Sequence, residues 1–318
     1  MGGVSRRVTV LCNEGGRHVD YVSDERGFHN PEGIWSSDPL EIAAIGDSFA
    51  HGYCVPSNAN FVARLRESHP RTLNLGIAGT GPLAQLAVLF EYVRPLRPAV
   101  VLWFYYEEND LKELIQEVRS PLLMRYPGGE FSQALSGLQA EIDAALDRHY
   151  DEAIVREREF EGAVDAERGT DEGKVASALR AVLAPAQLTY IRGRMGQILR
   201  VLTREVQGPP MDLFGEILKE ADTQVGSWGG KLYFVYLPSR DRFVLRRQFR
   251  QEEVLDIVRG ARIRLIDVET AFRETGDPLA QFPFRRFGHY NEAGHRLVAE
   301  TVLKAIASDE AGATSTQQ

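Results

Sequence analysis

Short, continuous apolar runs alternate along the chain with stretches in which apolar residues recur every three or four positions. A continuous run is typical of a strand buried on both faces, and the wider spacing is typical of a helix with one apolar face. Strands that alternate with helices form parallel sheets with crossover helices. The pattern therefore predicts a doubly wound α/β sheet. Its five strands are expected at residues 41–45, 72–75, 99–105, 231–237 and 263–268.

Two segments lie outside this alternation. Residues 7–35 contain short β-rich runs and many turn residues, which predicts an N-terminal β-hairpin packed on the edge of the sheet. Residues 121–228 have helical periodicity and are interpreted as a long helical insertion. The chain, 1–318, is otherwise interpreted as a single domain. The helices of the insertion are expected at about 135–146, at 188–202 and from residue 213 onwards.

Two polar stretches carry little apolar content. Residues 151–174 contain nine acids against four bases, which favours a solvated or mobile loop, with an active-site lid as the alternative. The last ten residues, 309–318, are small and polar and are predicted to be a disordered tail.

Composition and charge narrow the classes of function. A formal charge of −8 argues against a nucleic-acid partner, which needs a basic face. The sequence has no apolar run of about 18 residues, so we expect no transmembrane segment. It also shows no apolar signal segment, which as written favours the cytoplasm. A chain from which a leader had been removed would look the same, so a periplasmic or exported protein stays open.

The chain has two cysteines, Cys12 and Cys54, which are too few for a disulfide framework. We expect two unpaired, half-buried thiols, with a single bridge between them as the alternative.

A serine and a histidine occupy turns that follow predicted strands. Ser48 lies in Gly46-Asp47-Ser48, directly after the first strand, where a serine before a helix projects its hydroxyl from the sheet. His289 lies just before the last helix, in a loop expected at the same edge. Open α/β sheets place their sites at the carboxyl ends of the strands. An imidazole there could act on the serine as general base and then as general acid.

Two further turns offer hydrogen-bond donors at the same edge. Gly79 follows the second strand, and its backbone N–H could donate to a developing oxyanion. Asn109 follows the third strand, and its neutral amide could donate in the same way, where a carboxylate would repel the charge. Each turn taken alone is more typical of an ordinary strand-to-helix connection.

Together these segments resemble the four blocks of the SGNH/GDSL hydrolase family, in the family's order. They read GDSFAHG, NLGIAG, END and GHYNEAGH. The resemblance covers residues 41–110 and 231–306 and implies a flavodoxin-like three-layer sandwich. It implies that Ser48 is the nucleophile, that the N–H of Ser48, Gly79 and Asn109 form the oxyanion hole, and that His289 is the base. The family's histidine is followed by x-Asn, which selects His289 over His295; His295 is expected to be structural.

The sequence departs from the family at two places. Glu107 stands where the family usually has glycine, so its anion could reshape the pocket or point away from it. The triad acid normally lies two or three residues before the histidine, and those positions are Phe287 and Arg286. Asp277 or Glu108 could replace the acid, but the spacing selects neither. The family also includes Ser-His dyads in which a backbone carbonyl orients the ring, so the acid is left unassigned.

The resemblance implies a serine-dependent ester hydrolase that works through an acyl-Ser48 intermediate. The alternatives are an O-acyltransferase of polysaccharide that uses the same residues, and a non-catalytic carbohydrate-binding scaffold. The segment VSDERGFHNP and the insertion resemble SGNH-like proteins of bacterial surface-polysaccharide pathways, which implies an acylated carbohydrate as substrate. No cofactor or metal is expected, because the sequence has no His/Asp/Glu cluster at ligand spacing. The oligomeric state is left open.

Overall fold

The computed structural model describes residues 1–36, 39–169, 208–245, 249–286 and 288–315. It divides the chain into two compact units, where the sequence predicted one domain. One unit comprises Met1–Ile142 and Pro209–Gln318, and the other comprises Asp143–Gly208.

A five-stranded parallel sheet forms the centre of the first unit. Its strands are β3 (Ile42–Ile45), β4 (Thr72–Asn74), β5 (Val100–Tyr106), β6 (Lys231–Leu237) and β7 (Arg264–Asp267), in the spatial order β4-β3-β5-β6-β7. Each lies within one residue of its predicted bounds. This order is that of a flavodoxin-like doubly wound sheet, whose ligand sites lie at the carboxyl ends of the strands.

Helices connect these strands. They are α1 (Ser48–His51), α2 (Phe61–Leu65), α3 (Pro82–Val88), α4 (Asp110–Glu117), α5 (Gln139–Gly169), α6 (Met211–Ser227), α7 (Arg240–Val244), α8 (Gln251–Gly260), α9 (Val268–Glu274) and α10 (Glu292–Ser315). A π-helical turn, Leu89–Val93, continues α3.

Alternate residues of the strands build two apolar layers. Trp103 and Phe234 face the layer that contains buried side chains of α3, α6 and α8. Leu102 and Val235 face the opposite layer, with buried side chains of α2, α9 and α10. The side chains on both faces of β5 and β6 are buried. These strands are therefore continuous apolar runs in the sequence. The three-layer α/β fold expected from the sequence is confirmed.

The N-terminal hairpin is confirmed as an element. Strands β1 (Val8–Cys12) and β2 (Val19–Val22) pair antiparallel and form a two-stranded sheet of their own. Tyr21 of β2 bonds through its hydroxyl to Nε2 of His51 at 2.9 Å, at the end of α1. The hairpin therefore contacts the loops above the carboxyl ends of the strands.

Two predictions about polar stretches were wrong. The predicted loop 151–174 is helical as far as Gly169, in α5, because its alternating alanine, glutamate and arginine residues favour a helix. The predicted disordered tail 309–318 is helical to Ser315. Asp309 anchors it, since its carboxylate accepts from Lys231 Nζ at 2.7 Å and from the Tyr233 hydroxyl at 2.8 Å. The predicted helix at 188–202 lies outside the described residues.

Candidate active site

The turn that carries Ser48 follows β3 directly. Gly46 is required there, because a Cβ would lie 2.8 Å from the carbonyl oxygen of Phe104 and 2.9 Å from Cβ of Ala50. Asp47 caps α1, its side chain accepting the Phe49 backbone N–H at 2.9 Å. Ser48 is thereby the first residue of α1, with 8% of its surface exposed at the carboxyl end of the sheet.

His289 reaches the serine from the loop before α10. Its Nε2 lies 2.8 Å from Ser48 Oγ, although 241 residues separate the two. The rings of Phe49 and Tyr53 flank the imidazole, with centroids at 4.8 and 5.0 Å. The structure thus brings together the two residues that the sequence paired as nucleophile and base.

Glu14 occupies the other edge of the imidazole. Its Oε1 and Oε2 lie 3.1 and 3.2 Å from Nδ1 of His289, and Oε2 also accepts the backbone N–H of His289 at 2.8 Å. The hydrogen bond from the His289 side chain is the largest cause of a lowered pKa of the Glu14 carboxyl. A carboxylate therefore lies in the place of a triad acid, contributed by the turn of the hairpin.

Neither acid considered from the sequence occupies that place. Asp277 forms an exposed ion pair with Arg285. Glu108 accepts from the Tyr106 hydroxyl at 3.3 Å.

The two cysteines are paired, so the expectation of free thiols was wrong. Cys12, at the end of β1, forms a disulfide with Cys54, in the loop after α1. The pairing bears on the position of the acid, although two cysteines in a sequence do not by themselves specify a bridge. A bridge between these positions brings the Asn13-Glu14-Gly15 turn next to the segment that carries Ser48.

Asn109 lies beside the turn that carries Ser48. Its Nδ2 donates to Oδ2 of Asp47 at 2.9 Å. An amide NH₂ has two donors, and this bond uses one of them. Burial raises the pKa of Asp47 and holds the pKa of Asp110 well above its usual value.

The Gly79 loop runs along the same turn. Ile77 donates its backbone N–H to the Gly46 carbonyl at 3.0 Å, and the Thr80 hydroxyl donates to the Ile77 carbonyl at 2.7 Å. Gly79 has φ +74°, and a Cβ there would meet no atom within 4 Å, so open space lies next to its backbone. The loop that carries the predicted glycine donor therefore adjoins the serine turn.

Glu107, the departure from the family pattern, points away from the serine. Its carboxylate accepts from Nε of Arg242 at 2.9 and 2.8 Å and from the Ser239 backbone N–H at 2.6 Å. It also accepts from the Tyr236 hydroxyl. Both members of the ion pair are buried, and the pair links the residue after β5 to α7, the helix that follows β6. Glu107 supports the rim of the site and does not enter it.

The aromatic residues of β5 are packed against other side chains. Trp103, Phe104 and Tyr105 are fully buried in the two layers, and Tyr106 is stacked on Phe49 with a centroid distance of 3.9 Å. Tyr53 is partly exposed and is the aromatic ring beside His289 that solvent reaches.

Glu14, Cys54 and His289 are the group of potential metal ligands that comes together among the described residues. The sulfur of Cys54 is bonded to Cys12, so it is not a thiolate ligand. The group belongs to the serine site.

None of the described helices is both long and apolar enough to cross a bilayer.

His295 is buried, as expected for a structural histidine. Its Nδ1 accepts the backbone N–H of Phe61 at 3.2 Å, at the start of α2. Burial lowers the pKa of His295 to about 3.

Replacing His295 with glutamine is expected to flatten the pH dependence of the free energy of unfolding below about pH 6.5. The ring is neutral in the folded chain and takes up a proton in the unfolded chain below about pH 6.5. Its contribution to stability is complete above that pH and is lost as the pH falls towards its folded pKa of about 3. Between pH 6 and 4 the wild-type slope should exceed that of the variant by about 1.4 kcal/mol per pH unit.

Urea unfolding at a series of pH values measures this difference. Equal slopes for wild type and His295→Gln would show that His295 is protonated inside the folded protein.

No family model matches the sequence, and no curated protein matches it. Solved structures do match. Those similar to the chain include GDSL-type lipolytic proteins and esterases. A candidate lipolytic protein of the G-D-S-L family from Desulfitobacterium hafniense DCB-2 has 13% identity and a TM-score of 0.45, over 84% of this chain and 99% of that one. TesA has 11% identity and a TM-score of 0.45, over 84% and 98%. A catalytic mutant of Axe2, an acetylxylan esterase from Geobacillus stearothermophilus, has 14% identity and a TM-score of 0.45, over 85% and 96%.

Proposed function

We propose that the protein is a serine-dependent carboxylic-ester hydrolase that works through an acyl-Ser48 intermediate. The observation that supports this most directly is the 2.8 Å contact between Ser48 Oγ and His289 Nε2 at the carboxyl end of the sheet. A serine hydroxyl is a weak nucleophile until an adjacent base takes its proton. The contact has the length of a hydrogen bond through which that proton could pass.

Acylation begins when Ser48 Oγ attacks the ester carbonyl and its proton moves to Nε2 of His289. The backbone N–H groups of Ser48 and Gly79, with the second N–H of Asn109, donate to the oxyanion of the tetrahedral intermediate. Collapse of the intermediate breaks the ester C–O bond, and His289 returns the proton to the departing alkoxide.

Deacylation repeats these steps with water as the nucleophile. His289 takes a proton from water, the hydroxide oxygen bonds to the acyl carbon, and Ser48 leaves with the proton that His289 returns. As the ester substrate we propose an acylated carbohydrate, whose alcohol part is a sugar hydroxyl, as the resemblance of the sequence implies. The partly exposed ring of Tyr53, beside His289, is a surface on which a sugar could pack.

Covalent labelling by a fluorophosphonate tests the nucleophile directly. The probe is expected to modify Ser48, because the reagent reacts with a serine that a neighbouring base activates. Intact mass and peptide mapping locate the adduct. Ser57 provides a matched control, since its Oγ also lies 2.9 Å from a histidine nitrogen, that of His29. We expect no label on Ser57, and a Ser57→Ala variant should label like the wild type.

The products of turnover separate hydrolysis from transfer. With p-nitrophenyl acetate and an added oligosaccharide, acetate is expected, and acetylated oligosaccharide would instead favour the acyltransferase. An unlabelled Ser48 would overturn the proposal and favour a non-catalytic carbohydrate-binding module.

A further inference from the structure

The carboxylate of Glu14 faces the edge of His289 that is turned away from the serine. Both oxygens are within hydrogen-bond distance of Nδ1, at 3.1 and 3.2 Å. A carboxylate in this place keeps the ring proton on Nδ1, so that Nε2 offers its lone pair to the Ser48 hydroxyl. It also stabilises the imidazolium that forms when the serine proton is transferred. Glu14 thus has the geometry of a positioning residue that acts through His289.

Glu14 belongs to a part of the chain that is separate from the central sheet. It lies in the turn between β1 and β2, which pair only with each other in the described sheets. The side chain of a cysteine next to this turn attaches the turn to the serine site. The Cys12–Cys54 bridge begins two residues before Glu14 and ends six residues after Ser48. It is a covalent link between the segment that carries the acid and the segment that carries the nucleophile.

The bridge also contacts the imidazole. The sulfur of Cys54 lies 3.8 Å from Nδ1 of His289, the same nitrogen that Glu14 faces. A cavity of about 270 Å³ opens beside the bridge, and its lining includes Gly15, Arg17, Cys54 and Phe284. A small thiol could therefore approach the bridge from the Cys54 side.

We propose that Glu14 is the acid that positions His289, and that the Cys12–Cys54 bridge holds it there, so that full esterase activity requires a closed bridge. This inference rests on the proposed roles of Ser48 and His289. Opening the bridge with a dithiol transfers two electrons and two protons to the protein. The Sγ–Sγ bond breaks, Cys12 and Cys54 become thiols, and the dithiol becomes a cyclic disulfide.

Replacing Glu14 with glutamine tests the role of the acid. We expect kcat for p-nitrophenyl acetate to fall about 10³- to 10⁴-fold, as when a triad carboxylate is replaced by an amide. The acidic limb of the pH–rate profile should move to lower pH, because the imidazolium loses its carboxylate partner. Glu14→Asp should retain part of the activity. Asp20→Asn is the matched control, since it removes one negative charge from an exposed position on the same hairpin and should behave like the wild type.

Reduction in two backgrounds tests the role of the bridge. Dithiothreitol should lower the wild-type kcat about tenfold or more. It should lower the kcat of Glu14→Gln by less than about twofold, because two changes that act through the same contact do not have additive effects. A Cys12→Ser/Cys54→Ser variant should match the reduced wild type. Circular dichroism selects a temperature at which the reduced chain keeps its fold. Equal fold-losses in both backgrounds would show that the bridge does not act through Glu14.

The outcomes separate this inference from the proposed function. If wild type turns over ester and labels at Ser48 while Glu14→Gln keeps the wild-type kcat and pH profile, the acid assignment is wrong and the hydrolase proposal stands. If wild type neither labels nor turns over ester, both fail.

Discussion

Replacing Ser48 with alanine is expected to lower kcat for p-nitrophenyl acetate by about 10⁶-fold, the scale seen when the nucleophile of a serine triad is removed. The loss follows from the geometry, because the Oγ that lies 2.8 Å from Nε2 of His289 is the atom that would form the acyl bond. The residual rate should come from substrate binding and the oxyanion donors alone. Steady-state turnover by the purified protein measures this residual rate, and active-site titration excludes a contaminating esterase.

A double variant sharpens this test. If His289 acts only by activating Ser48, then Ser48→Ala/His289→Ala should be no slower than Ser48→Ala, because residues that act as one unit are not additive. A further loss in the double variant would mean that His289 has a task independent of the serine. Turnover by Ser48→Ala near the wild-type rate would remove the nucleophile assignment.

The central sheet was predictable because its signals are local. Each strand is a short apolar run that is buried in the structure, as in β5, where all seven residues from Val100 to Tyr106 are buried. Residues that follow parallel strands share one edge of the sheet, so the turns of Ser48 and Asn109 could be placed together before any coordinates. The first turns of α5 were predicted, but its continuation beyond residue 151 was missed because a charged composition, typical of loops, is also favourable to an exposed helix.

The acid could not be predicted, because its contact with His289 spans 275 residues and depends on how a separate hairpin is attached. A glutamate in an Asn-Glu-Gly-Gly turn has no local feature that distinguishes it from any other turn residue. Its position follows only once Cys12 is joined to Cys54, and two cysteines alone do not specify a bridge. For Glu107, only the structure shows its partner, since Arg242 lies 135 residues away.

Replacing Asn109 with alanine is expected to lower kcat by about 10²- to 10³-fold, the effect of removing one side-chain donor from an oxyanion hole. The amide is already oriented, because one of its N–H groups donates to buried Asp47 at 2.9 Å. The second N–H therefore needs no reorganisation when the negative charge develops, so its loss should fall on kcat more than on KM.

Glu108→Ala, in the same turn, provides the control for Asn109. Its carboxylate accepts from the Tyr106 hydroxyl and, unlike Asn109, it contributes no amide donor, so kcat should change little. Asn109→Asp should be at least as slow as Asn109→Ala, because a carboxylate there would face both Asp47 and the oxyanion. If both Asn109 variants kept the wild-type kcat, the amide of Asn109 would not reach the oxyanion. In that case the backbone N–H groups of Ser48 and Gly79 would have to bind the oxyanion without it.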